Sequence, residues 1–327
     1  MKRGTHAGLK ADGGFSLNVM TEEEFRQIHL ASLEILEQTG VFVEDDSPLD
    51  IFSDGGCKVD RETHIVKIPP QIVEEAIASS PEVVPHYARN PEHDFMASPG
   101  RFGFVNFTEG IKYNDPWTGE YRDPTKKDVG DVARLVDAMD EIVVYDSAIA
   151  AMDCPQETYV LHGVEAALLN TSKPVGCEAI DTWELDKCVE LAAIAAGGMD
   201  KLRERPFIGF GTCAVSPLKL PRDATDVIIG SARHGMLNTF VSMAMSGGSS
   251  PVTLAGTLAQ HNAEILSGLV LSQLTERGAQ FVYGSSTTAM DLRYASACVG
   301  SPECAMIGAG VAYIARQYRL PSYIAGA

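Results

Sequence analysis

The chain has 327 residues, 45% of them hydrophobic and 21% charged, which suits an ordinary globular protein with one large domain or two moderate ones. Its net charge of −18 argues against a nucleic-acid partner, which needs a basic surface to meet the phosphates. No apolar run approaches the about 18 residues that span a bilayer, and the polar start MKRGTHAGLKADGGF lacks a signal-peptide core, so a cytoplasmic protein acting on small molecules or protein partners is expected.

Residues 1–15 read as a flexible arm. Thr21 then caps a helix, with Glu24 completing a capping box, and apolar residues recur at helical spacing from Phe25 to Leu36 until Gly40. CKVDRETHIVKI (57–68) alternates around a polar turn and predicts a hairpin, and Pro70 opens a second helix. Residues 16–97 therefore form a small α+β extension.

From residue 98 the rhythm changes. Strand-like apolar runs stand at 102–107, 142–149, 174–180, 206–213, 238–245, 280–286 and 322–326. Helical segments lie between them at 125–139, 155–171, 182–197, 221–235, 253–276 and 301–318. Strands alternating with helices imply a parallel sheet. An open sheet that binds a dinucleotide would carry G-x-G-x-x-G after a strand, and none occurs. Polar and Gly-rich residues instead crowd after each strand, in FTEG (107–110), CEAID (177–181), SGGSS (246–250) and SSTTAMD (285–291). That habit fits a (β/α)₈ TIM barrel, which places its chemistry in the loops following its strands. The domain over 98–327 is then an incomplete barrel of about seven of the eight strands, with an unpaired edge on its first and seventh.

Within SGGSS, Gly247 and Gly248 can bring backbone N–H groups close to a ligand, and Ser250-Pro251 suits the start of the next helix; a tight turn explains the same glycines equally well. Ser301-Pro302-Glu303 repeats that helix-start pattern, and Gly308 and Gly310 in its helix predict close packing. Carboxylates near strand ends are Glu109, Asp146, Asp153, Glu178, Asp181 and Asp291, of which Glu178 and Asp291 are the better candidates for one shared mouth. Phe107, Tyr145, Phe210, Tyr283 and Tyr323 could cage a cationic amine or simply fill the core. The seven cysteines are scattered without a CxxC, and the eight histidines form no metal-binding spacing, so no metal site is expected. GxSxG and P-loop motifs are absent as well.

SMAMSGGSSPVTLAGTLAQHNAEILSGLVLSQLT (242–275), YGSSTTAMDL (283–292), VGSPE (299–303) and RLPSYIAGA (319–327) together resemble the trimethylamine:corrinoid methyltransferases, with GCKVDRETHIVKIP (56–69) a looser match. The resemblance runs over nearly the whole chain from residue 16 and is weakest over 101–181. It implies a TIM barrel that moves a methyl group from trimethylamine to the Co(I) of a cognate corrinoid protein, in methanogenesis or one-carbon metabolism. The corrinoid (cobalamin) belongs to the partner, so the chain itself is expected to bind no cofactor. A homo-oligomer is also expected.

By the family pattern pyrrolysine, encoded by an amber codon, directly follows the tripeptide matching Ala325-Gly326-Ala327. The resemblance therefore implies a chain ended at that codon, without its electrophilic imine and unable to transfer methyl groups. The catalytic residue would lie outside these residues, flanked by Gly326 and Ala327. Substrate- or corrinoid-facing candidates are Glu178 after the third strand, Gly247, Gly248 and Ser249 after the fifth, and Tyr283, Ser285, Thr287 and Asp291 on and after the sixth. Two alternatives stay open: a corrinoid-dependent methyltransferase for another tertiary or quaternary amine such as glycine betaine, and a non-catalytic amine-binding barrel.

Overall fold

The computed structural model describes residues 6–10 and 14–326. Of the expected arm, residues 1–5 and 11–13 lie outside the described residues, and His6–Lys10 pairs antiparallel with Gly14–Asn18.

Seven parallel strands form the central sheet: β1 Phe104–Val105, β2 Ile142–Asp146, β3 Val175–Cys177, β4 Ile208–Cys213, β5 Leu237–Ser242, β6 Phe281–Ser285 and β7 Ser322–Ile324. They are hydrogen-bonded in chain order, with β1 and β7 at its two ends. The helices between them are α1 Lys126–Asp137, α2 Tyr159–Asn170, α3 Thr182–Ala196, α4 Arg222–His234, α5 Leu254–Thr275 and α6 Pro302–Gln317, and a short helix, Met199–Glu204, follows α3. Sequential pairing with a helix at every crossover is the barrel pattern. The sheet also curls: the Tyr323 hydroxyl on β7 feels the charges of Asp146 on β2 and Glu178 just beyond β3. The architecture is an incomplete (β/α)₈ barrel.

Alternation along the strands separates helix-facing from lumen-facing positions. Cys177, Phe210, Phe240 and Tyr283 pack in the apolar layers under the helices. Their neighbours Gly176, Gly209, Gly211, Thr239, Val282 and Gly284 therefore point inward. Below, a hairpin of Val84–His86 and Phe95–Ala97 closes the barrel, with Val84 packed on Leu237 and Val282.

The N-terminal layer is joined to the barrel through a shared core. Its helix Glu22–Glu34 has the predicted capping box, Thr21 and Glu24 exchanging bonds of 3.2 and 2.7 Å, and ends in a π-helical turn, Ile35–Thr39. The predicted hairpin is Lys58–Asp60 against Ile65–Lys67. Val41–Val43 extends that sheet and takes in Lys219–Leu220 from the loop beyond β4. Sandwiched between this layer and the sheet, α5 is buried over nearly its whole length, as a helix apolar on all sides must be.

One predicted helix start moves. Ser250 and Pro251 lie in the turn before α5, and Thr253 is the cap, accepting from the Gly256 N–H at 3.3 Å. Ser250 is engaged elsewhere, its N–H on the Met245 carbonyl and its hydroxyl against Thr257. Ser301 caps α6 as expected, accepting from the Cys304 N–H at 3.2 Å. Gly310 lets α6 approach α5 so closely that a Cβ there would stand 2.9 Å from Leu258.

Candidate active site

The carboxyl ends of the strands converge on three acidic side chains. Asn106, just past β1, donates to the Asp146 carbonyl at 2.6 Å and accepts from the Asp146 N–H at 3.0 Å. The chain then runs on alongside the residues after β2: the Glu109 N–H meets the Ser147 carbonyl at 2.7 Å and the Gly110 N–H that of Ala148 at 2.9 Å. This zipper sets Glu109 beside Asp146 and Glu178. It does so at a backbone φ of 55°, a left-handed conformation unusual for glutamate and frequent at functional sites. Across the strand pair, Gly176 makes room for Asp146, since a Cβ there would stand 2.2 Å from its Oδ1.

Burial governs the titration of this group. The Asp146 carboxyl is pushed up to about 6 by burial and the charge of Glu109, although the Ser147 N–H opposes the shift. Glu178 is pushed up to about 8, first by burial and then by Glu109 and Asp146, against a hydrogen bond from Thr108. Burial raises the Cys213 thiol, at the end of β4, to about 12, and it raises the Tyr323 phenol too. Glu109, Glu178, Ser147, Ile149, Tyr159 and Val160 are among the residues lining a cavity of about 70 Å³. Acidic, partly apolar and open at the strand ends, the mouth suits a small cationic or protonatable amine. Among the described residues no group of three or more His, Cys, Asp or Glu side chains is placed to hold a metal ion.

The other sequence candidates lie elsewhere. Tyr283 is buried under the helices and donates to Asn262 Oδ1 at 2.8 Å. Ser285 accepts from the Thr287 N–H, and the Thr287 hydroxyl meets His261 Nδ1 at 2.8 Å and the Ser242 carbonyl at 3.2 Å. The loops after β5 and β6 join in a small sheet of Met245–Ser246, Thr288–Asp291 and Ser296–Ala297. There the Gly247 and Gly248 N–H groups bond to the Ser250 and Met245 carbonyls, and the Ser249 hydroxyl accepts from the Met245 N–H. Asp291 accepts from the Arg293 and Tyr294 N–H groups of its own turn. The aromatic cage does not form: Tyr145, Phe210 and Tyr283 belong to the sheet–helix layers, Phe107 is 83% exposed, and Tyr323 alone faces the lumen.

Comparison with known proteins agrees with this geometry. A family model described as trimethylamine methyltransferase (MTTB) matches residues 11–327. The chain belongs to this family. The trimethylamine methyltransferase MttB of Desulfitobacterium hafniense is 45% identical over 98% of the chain and 64% of its own length. That of Methanosarcina thermophila is 40% identical over 98% of the chain and 67% of its own length. The glycine betaine methyltransferase of Desulfitobacterium hafniense is more distant, at 30% identity over 94% of the chain and 64% of that protein. The chain thus spans about two thirds of the length of these curated relatives. Among solved structures, the Methanosarcina barkeri monomethylamine methyltransferase (MtmB) shares the fold, with a TM-score of 0.56 at 14% identity over 92% of the chain and 67% of that structure.

Proposed function

We propose that the chain carries the substrate barrel of a methyltransferase that takes a methyl group from trimethylamine and passes it to the Co(I) of a corrinoid held by a separate protein. The observation that carries this reading is the family match along the whole barrel, which converges on a mouth whose acidic lining suits an amine. Neutral amines are poor leaving groups, so an activating electrophile is required. The residues of this chain would bind and orient the amine. Exposed apolar side chains on the loops that follow the strands, Ile180, Met243, Leu292 and Tyr294 among them, suit docking of a protein partner over the mouth. No helix among the described residues is long and apolar enough to cross a membrane, in keeping with a cytoplasmic site of action.

The test is methyl transfer from trimethylamine to a reduced corrinoid protein by a methyltransferase that contains this barrel, with Glu178→Gln and Glu109→Gln variants alongside. Turnover with trimethylamine that falls in both variants is the expected result. Absence of methyl transfer from trimethylamine, or turnover unchanged in both variants, would remove the reading. The glycine betaine relative supports a second substrate reading, and faster demethylation of glycine betaine than of trimethylamine would select it.

A further inference from the structure

Glu109 and Glu178 line one cavity and meet carboxyl to carboxyl. Two carboxyls in contact resist ionising together, and burial with the charges of Glu109 and Asp146 keeps the Glu178 carboxyl protonated unless a cation stands beside it. Among the described residues, no cationic side chain is one of the groups acting most strongly on Glu178. The groups acting most strongly on Glu178 are Glu109, Asp146 and Thr108. Tyr159 of α2, Cys213 of β4 and Tyr323 of β7 feel its charge in turn. All of these are acidic or neutral. Room for a small cation is the cavity itself, about 70 Å³, which Glu109 and Glu178 line together with Ser147 and Tyr159. Tyr159 adds ring surface to the cavity, which favours an alkylammonium ion over a strongly hydrated metal cation.

We propose that this mouth takes small alkylammonium cations in exchange for the proton that Glu178 holds beside Glu109 in the cavity they both line. The cation enters, the Glu178 O–H bond breaks, its electron pair stays on the carboxylate, and one proton leaves to solvent, so the net charge of the site is unchanged. This inference rests on the amine reading above and adds to it the form in which the ligand is held and the titration coupled to binding. By linkage, the apparent affinity should rise about tenfold per pH unit while Glu178 carries its proton, and level off once Glu178 titrates in the unliganded protein.

Tetramethylammonium chloride is the probe, because its charge does not titrate. Its binding to the 327-residue chain is measured calorimetrically at pH 6, 7 and 8.5, in two buffers of different ionisation enthalpy and at constant ionic strength. Trimethylammonium chloride is run in parallel. About one proton released per cation at pH 7, and about tenfold tighter binding at pH 7 than at pH 6, are expected. Glu178→Gln, with wild-type circular dichroism, should bind with far flatter pH dependence and little proton release, whereas Glu109→Gln leaves burial acting on Glu178 and should move the same dependence to lower pH. Binding without proton release, or release unchanged in both variants, would overturn the exchange and leave the amine site standing. If neither cation binds at any pH, both readings fall.

Discussion

Glu178 holds its proton at a cost to the fold. An unfolded glutamate ionises near 4.5, whereas burial and the charges of Glu109 and Asp146 keep Glu178 protonated up to about 8. Between those limits the folded chain binds more protons than the unfolded one, so this residue's contribution to stability falls as pH rises. Asp146 adds to the same trend between 3.8 and about 6. Replacing Glu178 with Gln removes its part of the penalty. The variant should melt about 1–2 °C above the wild type at pH 8.5, roughly 1 kcal/mol in a chain of this size, with the gap closing towards pH 5. Thermal unfolding at the two pH values checks it, and a gap that widens towards pH 5 would contradict the burial argument. The sequence shows Glu109, Asp146 and Glu178 as strand-end carboxylates but not their grouping. That depends on Asn106 aligning two loops and on Gly176 clearing space for Asp146, contacts between segments about 40 and 30 residues apart in sequence. The turn chemistry of Asp291 was open to local reading, since an aspartate whose carboxylate accepts from N–H groups two and three residues on is an ordinary Asx turn.

Helix α5 is the element on which the architecture turns. Its apolar residues serve two layers at once, and several of its buried polar residues bond to neighbouring elements, although His261 Nε2 and Ser272 Oγ have no partner among the described residues. Glu264, 1% exposed, accepts from Ser216 Oγ at 2.7 Å, the Leu218 N–H at 3.0 Å, Ser242 Oγ at 2.6 Å and Gln260 Nε2 at 2.9 Å. One carboxylate thereby ties the loop beyond β4 to the end of β5 and to its own helix. Glu264→Ala leaves the Leu218 N–H buried without its acceptor and the hydroxyls to find new ones, a loss of roughly 3 kcal/mol. Glu264→Gln keeps the shape, offers one acceptor oxygen in place of two, and should lose about half as much. Urea midpoints of the two variants measure this; equal midpoints to the wild type would mean that the loop closes without the carboxylate. Asn262 makes a second tie, donating to Ser32 Oγ and Tyr318 at 2.9 Å each. Periodicity foretold this helix within a residue or two at each end, because length and continuous apolarity are local signals. The polar positions had no such reading, because their partners come from other elements distant in sequence.

At the scale of the whole molecule, the N-terminal layer is part of the core that supports the barrel. Leu36, Val41, Phe52 and Val66 belong to the same apolar cluster as Leu266, Leu269 and Phe281. Each such side chain, fully buried, stabilises the fold by about 1.5–3 kcal/mol relative to exposure. Composition shift alone suggested an extension at 16–97 followed by a barrel from 98, since a change of rhythm marks where strands begin to alternate with helices and says nothing of which surfaces meet. The packing instead couples the two parts, with Lys219–Leu220 from the barrel's own loop completing the extension's sheet. Unfolding should therefore be coupled across that boundary. In native-state hydrogen exchange, amides of Val41–Val43 and of Ile265–Leu271 should open with free energies within about 1 kcal/mol of each other. Phe52→Ala, which removes a fully buried ring from the extension, should lower both by the same roughly 3–5 kcal/mol. Loss of protection confined to the Val41–Val43 strand would show the extension to be an independent unit. Equal loss in α5 would show that the barrel wall facing the extension draws its stability from residues outside the (β/α) repeat.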